Sequence, residues 1–177
     1  MVSYGVIAFA GVPGAGKTTI SRLLAERFHC PVISTGDIAR TADPEGVMMG
    51  RLANEADFVR AFTKTVGMMR KQKTYILDGM PRRESQLALL PPGTRIFHLG
   101  VRPDIAMDRL RLRGRTDHDK DAARLIEQAE LLAVEERGGW IYKAAGYGRS
   151  INTSRKLPAL ITDNIMDYLD GKRGEAY

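Results

Sequence analysis

Apolar and polar positions fall along this chain in blocks that read alternately as strands and helices. Tyr4-Gly5-Val6-Ile7-Ala8-Phe9-Ala10 is a short run without a charge, the pattern of a strand covered on both faces. After a glycine-rich break, Ile20, Leu23, Leu24 and Phe28 recur at helical spacing with Arg22, Glu26 and Arg27 between them. Pro31-Val32-Ile33-Ser34 predicts a second strand, and Thr35-Gly36-Asp37-Ile38-Ala39-Arg40 a turn and helix start. Thr41-Ala42-Asp43-Pro44-Glu45-Gly46 predicts a break, with the stretch on to Gly50 short and helical at most. From Glu55 to Lys71, Phe58, Val59, Phe62, Val66 and Met69 share helical spacing. Thr74-Tyr75-Ile76-Leu77-Asp78 predicts a third strand ending in an acid, and Glu84 to Leu90 a helix stopped by Pro91-Pro92-Gly93. Arg95 to Leu99 predicts a fourth strand, and Pro103 opens the next helix where its missing N–H costs nothing. A long helix is expected over about Lys120 to Glu136, ended by Gly138-Gly139. Arg149-Ser150-Ile151-Asn152 then predicts a fifth strand, and Leu157 to Leu169 a final amphipathic helix. Strands alternating with helices build a parallel sheet with helices on both faces. Ligands of such a sheet gather at the C-terminal ends of its strands.

The break after the first strand carries chemistry. Gly11-Val12-Pro13-Gly14-Ala15-Gly16-Lys17-Thr18 is the phosphate-binding pattern G-x-x-x-x-G-K-[ST], with the strand before it and the helix after it that the pattern requires. Without Cβ atoms at its glycines the backbone can curl so that successive N–H groups face phosphate oxygens. The following helix adds its own free N–H groups and positive dipole end. The stretch Pro13, Gly14, Ala15, Gly16, Lys17, Thr18 and Thr19 is therefore the expected ATP-binding segment. Lys17 is expected at the β/γ-phosphates and Thr18 on Mg²⁺. A glycine-rich turn with a chance lysine is the bland alternative, and the flanking elements speak against it. The expected class is an α/β P-loop NTPase fold of three αβα layers around a five-stranded parallel sheet.

Composition narrows this further. The 177 residues are 44% hydrophobic and 27% charged, the balance of one ordinary globular domain. No apolar stretch approaches the roughly 18 residues of a membrane span, and the first apolar run leads into the phosphate loop, as a core strand would and a signal peptide would not. Neither a membrane nor a second copy is expected as a partner. The single cysteine, Cys30, has no internal disulfide partner and reads as a small hydrophobe beside a strand, which suits a cytoplasmic setting. A net charge of +6 fits either a nucleic-acid surface or a site where several phosphates meet. The densest arginine stretch holds Arg102, Arg109, Arg111, Arg113 and Arg115.

Three stretches together resemble the nucleoside monophosphate kinases, the adenylate kinase branch most of all. The loop matches G-x-P-G-x-G-K, and Ser34-Thr35-Gly36-Asp37-Ile38-Ala39-Arg40 matches S-T-G-D-[LM]-[LF]-R. Leu77-Asp78-Gly79-Met80-Pro81-Arg82 with Gln86 matches L-D-G-[FY]-P-R-x-x-x-Q, and Gly50-Arg51-Leu52-Ala53-Asn54-Glu55 more weakly matches G-x-L-V-P-D-E. The resemblance spans about residues 4 to 170 in the same order. It implies a single domain with a small helical insertion for the acceptor at about 35–70 and a short ATP-covering lid at about 109–124.

On that resemblance Thr35, Gly36, Arg40, Gly79, Arg82 and Gln86 line the monophosphate site. Arg40 and Arg82 suit a bidentate clamp on its phosphate, and the Gln86 amide, donor and acceptor at once, suits an adenine edge. Thr35 can meet the base, cap the helix starting near Gly36, or do both. Asp78 can hold Mg²⁺ directly or through water, or merely cap the next turn. Arg109 is implied as a stacking partner of the ATP adenine, with Arg113 and Arg115 on the transferring phosphoryl group. Lys17, Arg82, Arg113 and Arg115 are thus the implied catalytic set. The lid departs from the family: Arg113-Gly114-Arg115 compresses two family positions, and His118 replaces an aspartate. Arg124 is the nearest match to a missing acceptor-side arginine, about two positions early.

The reading is phosphoryl transfer from ATP·Mg²⁺ to a nucleoside monophosphate, with Gln86 favouring AMP or dAMP. Two alternatives stand beside it. A small P-loop kinase acting on a sugar, shikimate or another metabolite accounts for the loop but not for Thr35, Arg40, Arg82 and Gln86. An ATPase assembling RNA or ribosomal protein accounts for the basic charge and the altered lid; the intact acceptor set argues against it and against nucleic acid as the partner.

Overall fold

In the computed structural model, residues 4–49, 53–112 and 141–171 are described. The chain runs β1 (Gly5–Ala10), α1 (Lys17–Phe28), β2 (Val32–Ser34), α2 (Thr35–Ala42), α3 (Pro44–Met48), α4 (Glu55–Met68) and β3 (Thr74–Asp78). A 3-10 helix (Glu84–Leu89), β4 (Arg95–Gly100), α5 (Pro103–Leu112), a 3-10 turn (Ile141–Lys143), β5 (Tyr147–Asn152) and α6 (Pro158–Leu169) follow. The five strands form one parallel sheet in the order β2-β3-β1-β4-β5, as the alternation predicts. Successive residues of β1 show why the sheet is covered twice. Val6, Ala8 and Ala10 join Phe58 and Phe62 of α4 in one core, while Ile7 and Phe9 join Ile20 and Leu24 of α1 and Ile161 and Ile165 of α6 in the other. Period-two side chains on a strand with apolar cover on both faces give the continuous hydrophobic run seen in the sequence.

The differences from expectation are local and have physical reasons. The break expected over Thr41–Gly46 contracts to Asp43, because α2 runs on through Ala42 and the Asp43 carboxylate restarts the chain. Its two oxygens accept from the backbone N–H groups of Gly46 (2.9 Å) and Asn54 (2.8 Å), capping α3 and tying down the approach to α4. The helix expected to Lys71 stops at Met68. The segment after Arg83 is a 3-10 rather than an α-helix. β5 starts at Tyr147, two residues earlier than expected, through Gly148. An ideal Cβ there would lie 3.3 Å from the Ile96 carbonyl oxygen and 3.4 Å from the Tyr168 ring, so the glycine marks close packing, not a turn. The helix expected over Lys120–Glu136 and the Gly138-Gly139 stop lie outside the described residues. No helix among the described residues is long and apolar enough to cross a membrane.

The topology fixes where chemistry can occur. β1 and β3 are neighbours in register, with Phe9 opposite Asp78, and the Gly79 N–H donates to the Phe9 carbonyl at 3.0 Å. The loops after β1 and β3 therefore leave the sheet side by side, at its C-terminal edge.

Candidate active site

The phosphate loop is shaped by its glycines. Gly14 has φ +81°, and a Cβ there would lie 2.7 Å from the Ala106 carbonyl oxygen of α5, so only glycine permits this fit. Gly16, with φ +90°, caps α1 without a side-chain hydrogen bond, leaving the first N–H groups of that helix to a ligand. Lys17 folds back over the loop, its ammonium donating to the carbonyls of Gly11 (2.6 Å) and Val12 (2.9 Å). Thr18 stands at the mouth, and its hydroxyl donates to the Asp78 carboxylate at 2.7 Å. Pro13 and Ala15 lie in the same loop, Ala15 fully buried, and Thr19 is exposed in the first turn of α1.

Asp78 ends β3 as expected and faces both ways. Its carboxylate meets Thr18, while its backbone carbonyl accepts from the buried Thr35 hydroxyl at 2.8 Å. The proposed capping role of Thr35 is thereby corrected. α2 begins at Thr35, one residue before the expected start, and Ser34 caps it by accepting from the Asp37 N–H at 3.2 Å. Two hydroxyls stand in a row, and the one in extended backbone geometry takes the cap. The Thr35 proton is committed to Asp78, which leaves its oxygen lone pairs toward the cleft. Thr18 and Asp78 together offer hard oxygen donors beside the phosphate loop, the donor chemistry that suits Mg²⁺.

Arg40 and Arg82 converge. An ideal Cβ on Gly36 would lie 3.6 Å from Arg40 Nη1 and 3.9 Å from Arg82 Nη2. Arg40 is steadied by an ion pair to Asp37, and Arg82 by donating from Nε to the Gly79 carbonyl at 3.0 Å. Burial pulls the Arg82 guanidinium below its usual value, Asp78 pulls it up, and the Arg40 charge lowers it again; the residue stays cationic at neutral pH. Gly79, with φ +96°, sits where the two halves touch: a Cβ there would be 3.0 Å from Thr35 Oγ1, 3.4 Å from Arg82 Nη2 and 3.9 Å from Lys17 Cε.

Arg82 also lines a cleft together with Thr35, Ala39, Phe58, Gly79 and Gln86, with Glu55 and Arg83 at its rim. Gln86 is buried, not a solvated helix residue. Its carbonyl oxygen accepts from the Arg82 backbone N–H at 2.7 Å, which orients the amide and leaves its NH₂ group as a donor. Glu55 reaches across the rim to Arg83 and Ser85.

On the other side of the loop the expected Arg109 meets Thr153, a residue that sequence reasoning missed. Arg109 donates through Nη1 to the Gly14 carbonyl (3.1 Å) and the Thr153 hydroxyl (3.2 Å), and through Nη2 to the Thr153 carbonyl (2.7 Å). Thr153 is buried and lies 138 positions from its partner Ala15, so no local spacing could reveal it. Arg113, Arg115, His118 and Arg124 lie outside the described residues. His98 is buried against Ser150, and no group of three or more potential histidine, cysteine or carboxylate metal ligands exists among the described residues.

Similarity to known proteins bears on the family and the fold. A family model described as AAA domain matches residues 10–127. An adenylate kinase of Encephalitozoon cuniculi is 34% identical over 85% of this chain and 90% of its own length. Adenylate kinase 1 of Nostoc sp. is 32% identical over 67% of this chain and 74% of its own. Among solved structures, a gluconokinase from Sinorhizobium meliloti superposes with a TM-score of 0.72 at 16% identity, covering 97% of this chain and 94% of that one. A shikimate kinase from Acinetobacter baumannii, in complex with shikimate, superposes with a TM-score of 0.67 at 18% identity, covering 97% and 96%. At those identities the superpositions establish the P-loop kinase fold and no more.

Proposed function

We propose that this chain, which belongs to the adenylate kinase-like nucleoside monophosphate kinases and is an ATP-dependent phosphotransferase, uses a nucleoside monophosphate, AMP or dAMP before others, as its phosphoryl acceptor. The observation that carries this reading is the convergence of Arg40 and Arg82 beside Gly36, with Arg82 lining the same cleft as Gln86. Two guanidinium groups brought this close repel each other unless an anion lies between them, and a phosphate accepts from both forks. Gln86 then presents its NH₂ group to the base, and Phe58 supplies an apolar wall.

The chemistry asks little of the protein in covalent terms. An acceptor phosphate oxygen is already a competent nucleophile, so catalysis rests on alignment and charge neutralisation. Lys17 leaves the Gly11 and Val12 carbonyls for the β/γ-phosphates, and Arg82 bridges acceptor and transferring group. Thr18 and Asp78 would hold Mg²⁺, directly or through water, and the ion would supply positive charge against the phosphates. In-plane hydrogen bonds to Gly14 and Thr153 leave the faces of the Arg109 guanidinium open for the adenine of ATP. Arg113 and Arg115 complete the lid in this proposal, with Arg124 on the acceptor side. Segment 35–70 serves as the acceptor domain and 109–124 as the lid of one monomeric, cytoplasmic kinase domain, with no role for nucleic acid.

The test is ADP formation from ATP·Mg²⁺ with AMP, dAMP, CMP, UMP, GMP and dTMP, with shikimate and gluconate as non-nucleotide acceptors and a control lacking acceptor. Turnover with AMP or dAMP far above that control is expected. Turnover confined to a non-nucleotide acceptor, or indifferent to every acceptor, would overturn the reading.

A further inference from the structure

A phosphate loop binds anions only while its N–H groups face inward, which turns its carbonyls outward into the protein. Those carbonyls then need donors of their own, since a buried carbonyl without one costs free energy. Most are accounted for locally. Gly11 and Val12 take the Lys17 ammonium, Val12 also takes the Ala15 N–H at 3.2 Å, and Gly16 takes the Ile20 N–H at 3.0 Å. The carbonyls of Gly14 and Ala15 have no such local donor. Theirs come from far along the chain: Arg109 for Gly14 and the Thr153 hydroxyl, at 2.9 Å, for Ala15.

Thr153 Oγ1 also lies 3.1 Å from the Gly100 carbonyl, and a hydroxyl has one proton to give. Gly100 already receives the Thr153 backbone N–H at 2.8 Å, while the Ala15 carbonyl is the nearer acceptor and has no local donor, so we assign the hydroxyl proton to Ala15. The same oxygen accepts from Arg109 Nη1, and the Thr153 carbonyl accepts from Arg109 Nη2. One buried threonine at the end of β5 thus satisfies the loop directly and aims the arginine that satisfies its neighbour.

From this network we infer that Thr153 is a positioning residue for ATP binding, holding the outward carbonyls of Gly14 and Ala15 so that the loop is preorganised for the triphosphate. Its hydroxyl and carbonyl are engaged by Ala15 and Arg109, and the inference does not depend on which acceptor the enzyme uses. Preorganisation means the hydroxyl acts on affinity through the free protein, whose loop otherwise samples turned-in carbonyls.

The test is the Kd for MgATP by titration calorimetry, without acceptor, of wild type, Thr153→Val and Thr153→Ser, each alongside its Tm. Valine keeps the volume and removes the proton; it is expected to weaken ATP binding about tenfold, the consequence of one orphaned buried carbonyl. Serine keeps the hydroxyl and is expected to bind within about twofold of wild type. Should Thr153→Val not fold, Thr153→Ala, which admits water to the Ala15 carbonyl, is expected to lose about threefold. Unchanged Kd in the folded valine or alanine variant, with only Tm lowered, would reduce Thr153 to an architectural contact. A serine variant as weak as the valine one would assign the effect to methyl packing and equally overturn the inference. Because no acceptor is present, failure here is separate from failure of the kinase reading.

Discussion

Gly79→Ala offers the most direct test of how the two halves of the site meet. At φ +96° an alanine is strained wherever space allows, which costs about 1–2 kcal/mol. Space does not allow it freely. The new Cβ would stand 3.0 Å from Thr35 Oγ1, inside ordinary van der Waals contact, and that hydroxyl is held by the Asp78 carbonyl at 2.8 Å. Relief requires Thr35 to swing away and give up a buried hydrogen bond, roughly a further 1 kcal/mol. The total of about 2–3 kcal/mol corresponds to a Tm lowered by about 4–12 °C for a chain of this size. The second displaced neighbour is Arg82 Nη2 at 3.4 Å, whereas Lys17 Cε at 3.9 Å is in ordinary contact. Functional damage is therefore expected on the acceptor side. The apparent KM for the acceptor should rise about tenfold, a shift of ~1.4 kcal/mol in binding, while the Kd for MgATP stays within about threefold. Scanning calorimetry, steady-state kinetics and ATP titration read these three quantities. An unchanged Tm with an unchanged acceptor KM would refute the steric argument, and a loss confined to ATP binding would show that Gly79 belongs to the other nucleotide.

Three further outcomes follow from the same geometry. Arg82→Ala should slow phosphoryl transfer by about 10²–10³-fold, the scale of one lost transition-state charge contact, with ATP affinity near wild type; collapse of ATP affinity in titration would place Arg82 on the wrong nucleotide. Phe62→Ala removes a side chain 1% exposed, its ring 5.8 Å from that of Phe58, and should cost about 3–5 kcal/mol in urea unfolding; a loss below about 1 kcal/mol would contradict its place in the core between α4 and the sheet. Burial pushes the Cys30 thiol above its ordinary 9.0, so folding favours the protonated form. Its contribution is full below pH 9.0 and is lost as pH rises through the folded value. Alkylation of native Cys30 near pH 9 should then be slower than that of the urea-unfolded chain, and equal rates would deny the burial.

What the sequence reveals and what it hides divide along the range of the interaction. Lys17 and Thr18 follow Gly16 in one loop, and Arg82 and Gln86 are four residues apart, so each motif carries its own local geometry and survives as a pattern. Ser34 and Thr35 are chemically alike at adjacent positions, and only the backbone decides which hydroxyl caps α2 and which crosses to Asp78. Gly148 resembles a turn residue until the Ile96 carbonyl and Tyr168 ring are seen against it. Thr153 is invisible for a stronger reason, since its partners Ala15, Gly100 and Arg109 are scattered along the chain. A lone threonine after a strand has no spacing to betray it.

The long-range ties also explain why the local motifs work together. All five residues of β3 are buried, so its end is held by packing on every side. Asp78, the last of them, takes Thr18 on its carboxylate and Thr35 on its carbonyl, and Gly79 after it returns to the Phe9 carbonyl of β1. The loop expected to hold ATP and the helix expected to hold its acceptor are thus both referenced to one strand end. Phosphoryl transfer depends on the distance between two bound phosphates, and 1 Å of misplacement can cost about a hundredfold in rate. Anchoring both sites to the same buried residue removes the largest source of that error.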